Sequence, residues 1–528
     1  MPPTDPTPAP STDPANARLC DPPGVPRPSQ RALLALVFVG GASSLGAEIA
    51  AARLLAPYFG ASTIIWANTI GVVLVALSVG YWYGGRLADR YPNDRVLRLV
   101  VLAAAVLLGL VPIVSGPFFD IVVGAFDRLD AGAFIGSLIG VLILLAVPLV
   151  LLGTVTPWAL RLAIRDVEQA GTVAGRLYAL STVGSLLGVF LSALVLIPLV
   201  GVQRTFLVFG AALAVTAAAG RAVPRAALAV PALLLAALAL PPGLTKPADG
   251  GDRVVEERET AYQYLRVIQD GDRRLLELNE GQAVHSVYDP ETVLTEGVWD
   301  GYLSLPLSVL GRPPRTMAML GNAAGTVSRA YSRYFPGTRI DGVEIDGEVT
   351  EAGRELFDLG ANKRLDTFTE DARPFLRRTR KRYDLIGIDA YRQPYIPFYL
   401  ATREFFDLAR ARLQPGGAVV VNIGHPEGQD GLEKTITRTL RASFGHVARF
   451  AIEDTSTLLV ASDVPPTRER LRLAQTGADP ELLPLLARTE QGLQPPLPGG
   501  RVYTDDRAPV EWLIDSSIVR YAAGGSEG

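Results

Sequence analysis

Three carboxylates in the second half of the chain occupy positions where a nucleoside could bind. Glu344, Asp371 and Asp389 each follow a short apolar run that is typical of a buried strand. A parallel sheet binds ligands at the carboxyl ends of its strands, so we expect these acids to surround one hollow. A carboxylate at the end of the second strand can accept hydrogen bonds from both ribose hydroxyls. An acid near the end of the third strand can accept one from an adenine amino group.

A turn of small residues precedes these acids. The segment from Gly321 to Gly325 lies between a predicted strand, Thr316–Leu320, and a predicted helix, Thr326–Tyr334. Small residues allow the backbone to approach a ligand closely. On these residues alone, a purely structural turn explains the pattern equally well.

The elements that would position these residues alternate between strand and helix from residue 316 onward. This alternation predicts a doubly wound, mostly parallel, Rossmann-like sheet, and we assign residues 313–528 to a nucleoside-binding α/β domain. Residues 250–312 contain short strands and the hairpin signal Asp270-Gly271. They predict a small antiparallel β-subdomain followed by a linking helix.

The first half of the chain has the composition of a membrane domain. Only eight acidic residues occur between Arg31 and Leu240, and apolar runs of about 20 residues recur there. We predict a transmembrane domain over residues 31–240 with about seven helices. The last run, 222–240, is short and contains two prolines, so six and eight helices are alternatives. Residues 1–30 are rich in Pro, Ser, Thr and Asp, which predicts a disordered leader.

The placement of arginines predicts the orientation of these helices. Arginines cluster after the second, fourth and sixth apolar runs, whereas the loop after the third run is mainly acidic. Because cytoplasmic loops are enriched in basic residues, we expect the N-terminus in the cytoplasm. Seven spans in the cell membrane would then place the soluble domain on the extracytoplasmic side.

Two charged residues inside the first apolar run are candidates for a role in the membrane domain. Glu48 and Arg53 lie five residues apart, and a carboxylate within a span usually faces a cavity or a partner. The structural alternative is an internal ion pair, or an arginine that reaches the interface. Glycines and serines recur in the first and fifth runs, which indicates close helix packing there.

Composition argues against several other classes of site. The net charge of −3 gives no indication of a nucleic-acid partner. The single cysteine, Cys20, provides neither a disulfide framework nor a cysteine metal site within one chain. The three histidines lack metal-ligand spacing, so no metal is predicted. One of them, His425, follows a predicted strand beside the expected hollow and is a candidate substrate contact.

Specific motifs in the soluble half resemble the aminopropyltransferase family, the spermidine and spermine synthases. They extend over residues 258–425 and comprise Tyr262-Gln263, Leu305-Pro-Leu, Val343-Glu-Ile-Asp346, Asp371-Ala372, Tyr383–Ala390 and Leu413–Gly417. The resemblance implies a sheet of the type found in S-adenosylmethionine-dependent methyltransferases. It also implies that the donor substrate is decarboxylated S-adenosylmethionine.

Motifs in the membrane half resemble a more specific group. Glu48–Gly60 and Gly175–Ser185 are similar to chains in which a transporter-like domain is fused to a spermidine-synthase-like domain. Gly84–Arg90 resembles the loop signature of major facilitator transporters. A full transporter of that superfamily has twelve spans, and this chain has about half that number.

The family resemblance implies roles for the site residues. Gln263 would contact the nucleoside, Glu344 would hold the ribose, and Asp371 with Ala372 would lie beside adenine. Asp389 would be the catalytic residue, which accepts the proton of the attacking amine or orients that amine. The other donor-site residues on or beside the matching motifs are Gly321, Gly325 and Asp346.

Three departures from the family's pattern concern the amine acceptor. Ala324 replaces an aspartate of the family's glycine loop, and Arg392 replaces a second aspartate of the gate loop. Val298-Trp299-Asp300 keeps only the acid of the family's Tyr-His-Glu. Those carboxylates would stabilise the two charges of a diamine, so the identity of the acceptor stays open. The candidate acceptor contacts are Asp300, Tyr391, Arg392 and His425.

The leading hypothesis is therefore a membrane-embedded aminopropyltransferase-like enzyme that acts on an amine acceptor without a metal. One alternative is another S-adenosylmethionine-dependent transferase, such as a methyltransferase, with Arg392 or Arg329 pairing the donor carboxylate. A second alternative is a transporter or sensor whose soluble domain binds a nucleoside or polyamine without turnover. Related soluble enzymes are commonly dimers or tetramers, so we expect a homodimer.

Overall fold

The computed structural model describes residues 28–59, 63–126, 132–164, 167–220, 223–240, 246, 252–279, 284–391 and 396–514. A helical half is followed by an α/β half. Nearly all of the predicted leader, and Arg392 in the gate loop, lie outside the described residues.

The helical half contains eight α-helices among the described residues: α1 (Gln30–Phe59), α2 (Thr63–Arg90), α3 (Asp94–Phe126), α4 (Gly132–Gly153), α5 (Val155–Ala163), α6 (Ala170–Leu191), α7 (Ile197–Ala218) and α8 (Ala229–Ala239). Five segments are long and apolar enough to cross a membrane: Gln30–Phe59, Ile65–Arg90, Asp94–Phe119, Gly136–Ala163 and Ala170–Ala218. Their length matches the roughly 20 apolar residues that a bilayer core requires.

The last of these segments folds back on itself. Ala170–Ala218 has 49 residues. As one straight helix it would extend about 74 Å, more than twice the hydrocarbon thickness of about 30 Å. Gly201 interrupts it with a φ of +82°. Before this break, Ser192 Oγ donates to Gly46 O over 3.0 Å, and after it the Phe209 ring packs against Gly46. Because residues before and after the break both contact Gly46 of α1, the chain turns back at Gly201, and α6 and α7 are antiparallel.

Helix α8 returns the chain across the bundle. At one end, Arg98 Nη1 in α3 donates to Ala217 O near the end of α7, at 3.0 Å. At the other end, Arg204 Nη2, just after the Gly201 break, donates to Leu240 O at 3.2 Å. Because Leu240 follows α8 directly, α8 runs from the Arg98 end of the bundle to the Gly201 end. Helices α7 and α8 therefore run in opposite directions between these two ends.

Glycines bring α1 and α6 into backbone contact. A Cβ added at Gly184 would lie 2.2 Å from Phe38 O, and one at Gly188 would lie 2.1 Å from Ala42 O. Ser185 Oγ also donates to Gly41 O across the same interface, at 3.2 Å. The small residues of the first and fifth apolar runs therefore pack against each other.

A small antiparallel sheet opens the soluble half. Its strands pair in sequence order and are β1 (Arg253–Glu259), β2 (Tyr264–Asp270), β3 (Arg273–Leu278) and β4 (Val284–Tyr288). Two short helices, α9 (Gly301–Ser304) and α10 (Leu307–Leu310), lead into the second sheet. The predicted single linking helix is thus divided at Leu305-Pro306, because proline disrupts a helix interior.

The second sheet has seven strands in the order β10-β11-β9-β8-β5-β6-β7. The strands are β5 (Thr316–Leu320), β6 (Arg339–Glu344), β7 (Leu365–Thr369), β8 (Tyr383–Ile388), β9 (Leu413–Gly424), β10 (His446–Glu453) and β11 (Ser456–Ser462). The first five are parallel, and β11 pairs antiparallel with β9 and β10. The order reverses between β5 and β8, which places the expected ligand hollow at their carboxyl ends. The predicted doubly wound fold is confirmed.

Helices cover both faces of this sheet. They are α11 (Thr326–Tyr334), α12 (Gly347–Leu356), α13 (Ala372–Arg378), α14 (Arg403–Ala411), α15 (Gly431–Ser443), α16 (Arg468–Gln475) and α17 (Leu483–Gly492). Side chains of β5 alternate between two cores, with Met317 and Met319 in one and Ala318 and Leu320 in the other. This alternation is the normal period of a strand that is buried on both faces.

Candidate active site

The turn after β5 brings its backbone against the catalytic candidate. Asp389 N, just after β8, donates to Leu320 O over 2.8 Å. Gly321 has a φ of +85°, and a Cβ there would lie 2.3 Å from Asp389 O. Only glycine fits this position, since a side chain would meet backbone and the left-handed conformation disfavours other residues.

Glu344 lies at the end of β6 and faces the same hollow. Its Oε2 accepts a hydrogen bond from Ala323 N at 3.0 Å, and its Oε1 accepts one from Asp346 N at 3.2 Å. Burial raises the pKa of Glu344 to about 7, although both backbone hydrogen bonds favour the charged form. A carboxylate offers about four acceptor positions, so this group keeps capacity for ribose hydroxyls.

Asp371 follows β7 and caps the next helix. Its Oδ1 accepts from Arg373 N at 2.9 Å, at the start of α13, and its Oδ2 accepts from Tyr399 Oη at 2.6 Å. Ala372 beside it is buried, with 8% of its surface exposed. The small side chain leaves room in the hollow for a planar ring.

These residues line one cavity of about 340 Å³, which we call the donor cavity. Its volume is within the range of small-molecule sites, about 300–1,000 Å³. The three predicted carboxylates, Glu344, Asp371 and Asp389, line it together, and Glu370 and Glu511 are two further acids in its lining. The lining relevant here comprises Tyr262, Gln263, Gly321, Glu344, Asp371, Ala372, Asp389, Tyr391 and Tyr399.

Asp389 also lines a second cavity of about 450 Å³, which we call the acceptor cavity. Asn422 Nδ2 donates to Asp389 Oδ1 at 2.9 Å. Burial raises the pKa of Asp389 to about 6, and hydrogen bonds from the Asn422 and Trp299 side chains partly oppose that rise. The carboxylate thus stands in the wall that both cavities share, and its pKa allows it to be ionised at neutral pH.

The acceptor cavity is lined by aromatic, imidazole and carboxylate groups. His425 contributes an imidazole whose Nδ1 and Nε2 lie 3.1 Å from Pro426 O and Thr457 Oγ1. Tyr391 Oη donates to Asn422 O at 2.8 Å, which fixes the strand end beneath the cavity. The polar lining includes His285, Ser286, Trp299, Asp389, Tyr391, Asn422, His425 and Glu453.

Three predicted site residues do not line either cavity. Asp300 is 4% exposed, and its carboxylate accepts hydrogen bonds from Thr295 N, Thr295 Oγ1 and Glu296 N, so the neighbouring loop occupies it. Gly325 instead begins α11, with a φ of +93° and its α-carbon packed against Leu359. These residues shape the backbone and are not direct contacts, contrary to expectation.

Asp346 is the third of these residues and acts through a neighbour. Its Oδ1 accepts from Glu348 N at 3.1 Å, which caps α12. Its Oδ2 accepts from Thr260 Oγ1 at 2.6 Å and from Gln263 Nε2 at 3.3 Å. Asp346 therefore holds the predicted nucleoside contact Gln263 in place.

Several functional candidates were missed by the sequence analysis. Trp299 and Asn422 donate to Asp389, and Tyr399 donates to Asp371. The position of Asn422 at the end of a predicted strand was an available signal. The contacts of Trp299 and Tyr399 join segments that are separated in sequence. Local sequence patterns therefore do not predict these contacts.

The membrane candidates lie in different surroundings. Glu48 is half-buried within α1. Arg53, nearer the end of the same helix, donates from Nη2 to Ala261 O in the soluble half. Arg53 therefore contributes to the contact between the two halves.

Known proteins similar to this chain point to one family. The profile of the spermine/spermidine synthase domain matches residues 302–459. The polyamine aminopropyltransferase of Corynebacterium efficiens is 30% identical over 421 residues, which cover 74% of this chain and 76% of that protein. This chain belongs to the polyamine aminopropyltransferase family. Polyamine aminopropyltransferase 1 of Streptomyces coelicolor is 26% identical over 457 residues, or 80% of this chain and 81% of that protein.

Within the aminopropyltransferase family, the extent of similarity varies. The Corynebacterium and Streptomyces matches exceed the soluble half in length and therefore reach into the helical half. The probable polyamine aminopropyl transferase of Bifidobacterium longum is 33% identical over 223 residues, and the chain covers about half of it, 49%. A solved probable spermidine synthase from Corynebacterium glutamicum aligns with 50% of this chain and 100% of its own, at 19% identity and a TM-score of 0.38.

Proposed function

We propose that this chain transfers an aminopropyl group from decarboxylated S-adenosylmethionine to an amine acceptor. The observation that carries the proposal is the position of Asp389 in the wall between the donor and acceptor cavities. A base in that wall can reach an amine on one side while the reacting carbon lies on the other. Holding two reactants in this geometry supplies much of the acceleration in transferases.

Each side chain has a role that its contacts support. Glu344 accepts the ribose hydroxyls, and Asp371 accepts the adenine amino group while Tyr399 keeps it oriented. Asp389 takes a proton from the acceptor amine as the amine nitrogen bonds to the aminopropyl carbon. The bond from that carbon to sulfur breaks, its electron pair stays on sulfur, and methylthioadenosine leaves. No metal is required to balance this reaction.

The acceptor is an amine whose reacting end lies at Asp389. Ala324 is buried, and its backbone N donates to Ser286 Oγ at 3.0 Å, so this position supplies no charge to a substrate. Asp300 is held by its own loop. Of the described residues that line the acceptor cavity, the carboxylates are Asp389 and Glu453. These contacts favour an acceptor that presents a single cation to Asp389 and leaves a second, if it has one, near Glu453 at the mouth.

The contacts of Arg329 argue against its role as the cation of an ordinary methyltransferase site. Such an enzyme would need a cation for the carboxylate of S-adenosylmethionine, and Arg329 was one candidate. Its Nη2 donates to Asp289 O at 3.3 Å and Thr292 O at 3.2 Å, and its guanidinium lies 4.6 Å from the Tyr288 ring centroid. Arg329 therefore supports the loop and strand around β4 instead of the donor cavity.

Product analysis tests the proposal. Purified protein is incubated with decarboxylated or ordinary S-adenosylmethionine and a panel of mono- and diamines. We expect methylthioadenosine and an aminopropylated amine from the decarboxylated donor alone. Formation of S-adenosylhomocysteine from the ordinary donor, with no methylthioadenosine, would contradict the proposal.

We further propose that the helical half spans a lipid bilayer and that the catalytic half lies outside the cytoplasm. The chain enters the soluble half at the Gly201 end of the bundle, where Lys246 Nζ donates to Pro57 O at 3.2 Å. The opposite end carries Arg86, Arg90, Arg95, Arg98, Arg161 and Arg225. A concentration of arginines marks the cytoplasmic end of a helical bundle.

A further inference from the structure

A membrane helix contacts the turn that carries two donor-site residues. The turn Thr260–Gln263 joins β1 to β2 and is closed by Thr260 N, which donates to Gln263 O at 2.9 Å. Tyr262 and Gln263 line the donor cavity. Between them and β1, Ala261 O accepts a hydrogen bond from Arg53 Nη2 of α1. A side chain of the helical half thus holds the backbone directly beside the residues that face the nucleoside.

The same turn is anchored from the catalytic side by Asp346. That carboxylate accepts from Thr260 Oγ1 at 2.6 Å and from Gln263 Nε2 at 3.3 Å. Its own backbone N donates to Glu344 Oε1 at 3.2 Å. The turn therefore has one anchor in the ribose-binding region and one in α1. Removing either anchor frees a segment that presents Gln263 to the ligand.

The charge of Arg53 also acts on a buried carboxyl group at the end of β1. Both carboxylate oxygens of Glu259, the last residue of β1, are shielded from solvent and have no hydrogen-bond partner among the described residues. Burial raises the pKa of Glu259 to about 8, and the charge of Arg53 opposes that rise. At neutral pH this group is therefore mainly protonated.

The end of α1 is also held against the small sheet. Lys246 Nζ donates to Pro57 O at 3.2 Å, and Arg266 Nη1 of β2 donates to Lys246 O at 3.3 Å. Arg266 in turn pairs with Glu277 of β3 at 2.6 Å and is 2% exposed. These buried contacts limit movement of α1 relative to β1 and β2, so Arg53 is a fixed support for the turn.

We propose that Arg53 is a positioning residue of the donor site, through which the membrane helix α1 fixes the turn that contacts the nucleoside. The inference rests on the proposed function, which names the nucleoside. It gives the helical half a role in substrate binding in addition to anchoring. Arg53 acts through Ala261 and Gln263 and does not itself line the donor cavity among the described lining residues.

The test measures the affinity of the full-length protein for methylthioadenosine, the nucleoside product, in detergent. We expect Arg53→Gln to weaken binding about tenfold, which corresponds to about 1.4 kcal/mol. Arg53→Lys keeps a donor with a different reach, and we expect a loss of about threefold, or about 0.65 kcal/mol. The matched control is Arg161→Gln in α5, which removes an exposed pair with Asp89 at the opposite end of the bundle and should leave the affinity unchanged.

A double mutant distinguishes positioning from general destabilisation. If Arg53 acts through the turn, Arg53→Gln combined with Gln263→Ala should bind no more weakly than Gln263→Ala alone. Independent structural damage would instead add to the loss. The KM for the amine acceptor should not change in the single Arg53 variants.

Wild-type affinity in the Arg53 variants, or additive losses in the double mutant, would overturn the proposal. If the Gln variant does not fold, the Lys variant, alone and with Gln263→Ala, decides the question by the same criteria. Failure of the proposed function would show differently, because the wild-type protein would then release no methylthioadenosine.

Discussion

At the scale of single residues, Asp389 combines burial with two hydrogen-bond donors. Burial raises the pKa of this carboxyl group, and the side chains of Asn422 and Trp299 oppose the rise by stabilising the anion. The resulting pKa of about 6 leaves most of the group ionised at neutral pH. A base needs this state to accept a proton from an amine.

The dependence of kcat/KM on pH should show the ionisation of Asp389 on its acidic side. Because the proposed base Asp389 must be ionised to accept a proton, kcat/KM for the acceptor should rise with pH and have a midpoint near the pKa of about 6. Asn422→Leu keeps the side-chain size but removes a donor to the charged form, so the midpoint should move to higher pH. Steady-state rates from about pH 5 to about pH 9 measure it. An unchanged midpoint in Asn422→Leu would contradict the assigned contact.

Glu344 makes a separate prediction about donor binding. Burial raises its pKa to about 7, and the ionised form is the better acceptor for the proposed contact with the ribose hydroxyls. Affinity for methylthioadenosine should therefore be full above pH 7 and decrease as pH falls through about 7. Glu344→Gln should weaken binding by about tenfold, typical of a lost charged hydrogen bond, and remove the pH dependence. Calorimetry at several pH values checks this, and an unaltered pH dependence in the variant would refute it.

At the scale of elements, the carboxyl ends of β6, β7 and β8 bring the three acids together. Thr316–Leu320 and Thr326–Tyr334 were predicted with the bounds that the structure shows, because the first is strongly apolar and the second is clearly bounded by small residues. Strand β4 was not identified, since Val284–Tyr288 contains the polar residues His285 and Ser286, which interrupt its apolar pattern. The grouping of these acids around the donor cavity followed from local patterns in this way.

The acceptor side of the site could not be predicted as well. Trp299 lies in a short 3-10 turn, Val298–Asp300, and reaches Asp389 only because the chain folds over β8. Asp300 lies where the family's Tyr-His-Glu segment has its acid. Its carboxylate, however, accepts hydrogen bonds from Thr295 and Glu296 of the neighbouring loop. Which of two adjacent side chains faces a cavity depends on tertiary packing, and residue type alone does not determine it.

The turn after β5 gives a prediction at this scale. Gly321→Ala would place a Cβ 2.3 Å from Asp389 O, in a backbone conformation that alanine disfavours. The turn must then move Asp389, the proposed base, and a displacement of about 1 Å can cost about a hundredfold in rate. The matched control is Gly337→Ala, where a Cβ would meet nothing within 4 Å. Equal rates for the two variants would contradict the account.

At the scale of the whole molecule, the soluble domain is attached at one end of the helical bundle. The sequence predicted about seven membrane helices, whereas five apolar segments have spanning length when Ala170–Ala218 is taken as one. The break at Gly201 and the return of α8 bring the chain to the end where α1 meets the small sheet. Hydropathy cannot show that the chain reverses direction inside a continuous apolar stretch. The structure shows this reversal, because Ser192 and Phe209 both contact Gly46.

This arrangement predicts which surfaces are accessible from outside an intact cell. In a variant with Cys20→Ser, single cysteines are introduced at Glu469 on the catalytic domain and at Arg90 at the arginine-rich end. A membrane-impermeant maleimide should label Glu469→Cys in intact cells and Arg90→Cys only after lysis. The reverse pattern would place the catalytic domain in the cytoplasm and contradict the proposed orientation.

The release of methylthioadenosine by wild-type protein and by Asp389→Asn tests the central claim most directly. With decarboxylated S-adenosylmethionine and an accepted amine, the wild-type protein should release one methylthioadenosine for each aminopropylated product. Asp389→Asn should lower kcat by about 10²- to 10⁴-fold while its affinity for methylthioadenosine stays unchanged. Undiminished release by the variant, or no release by the wild-type protein, would contradict the account.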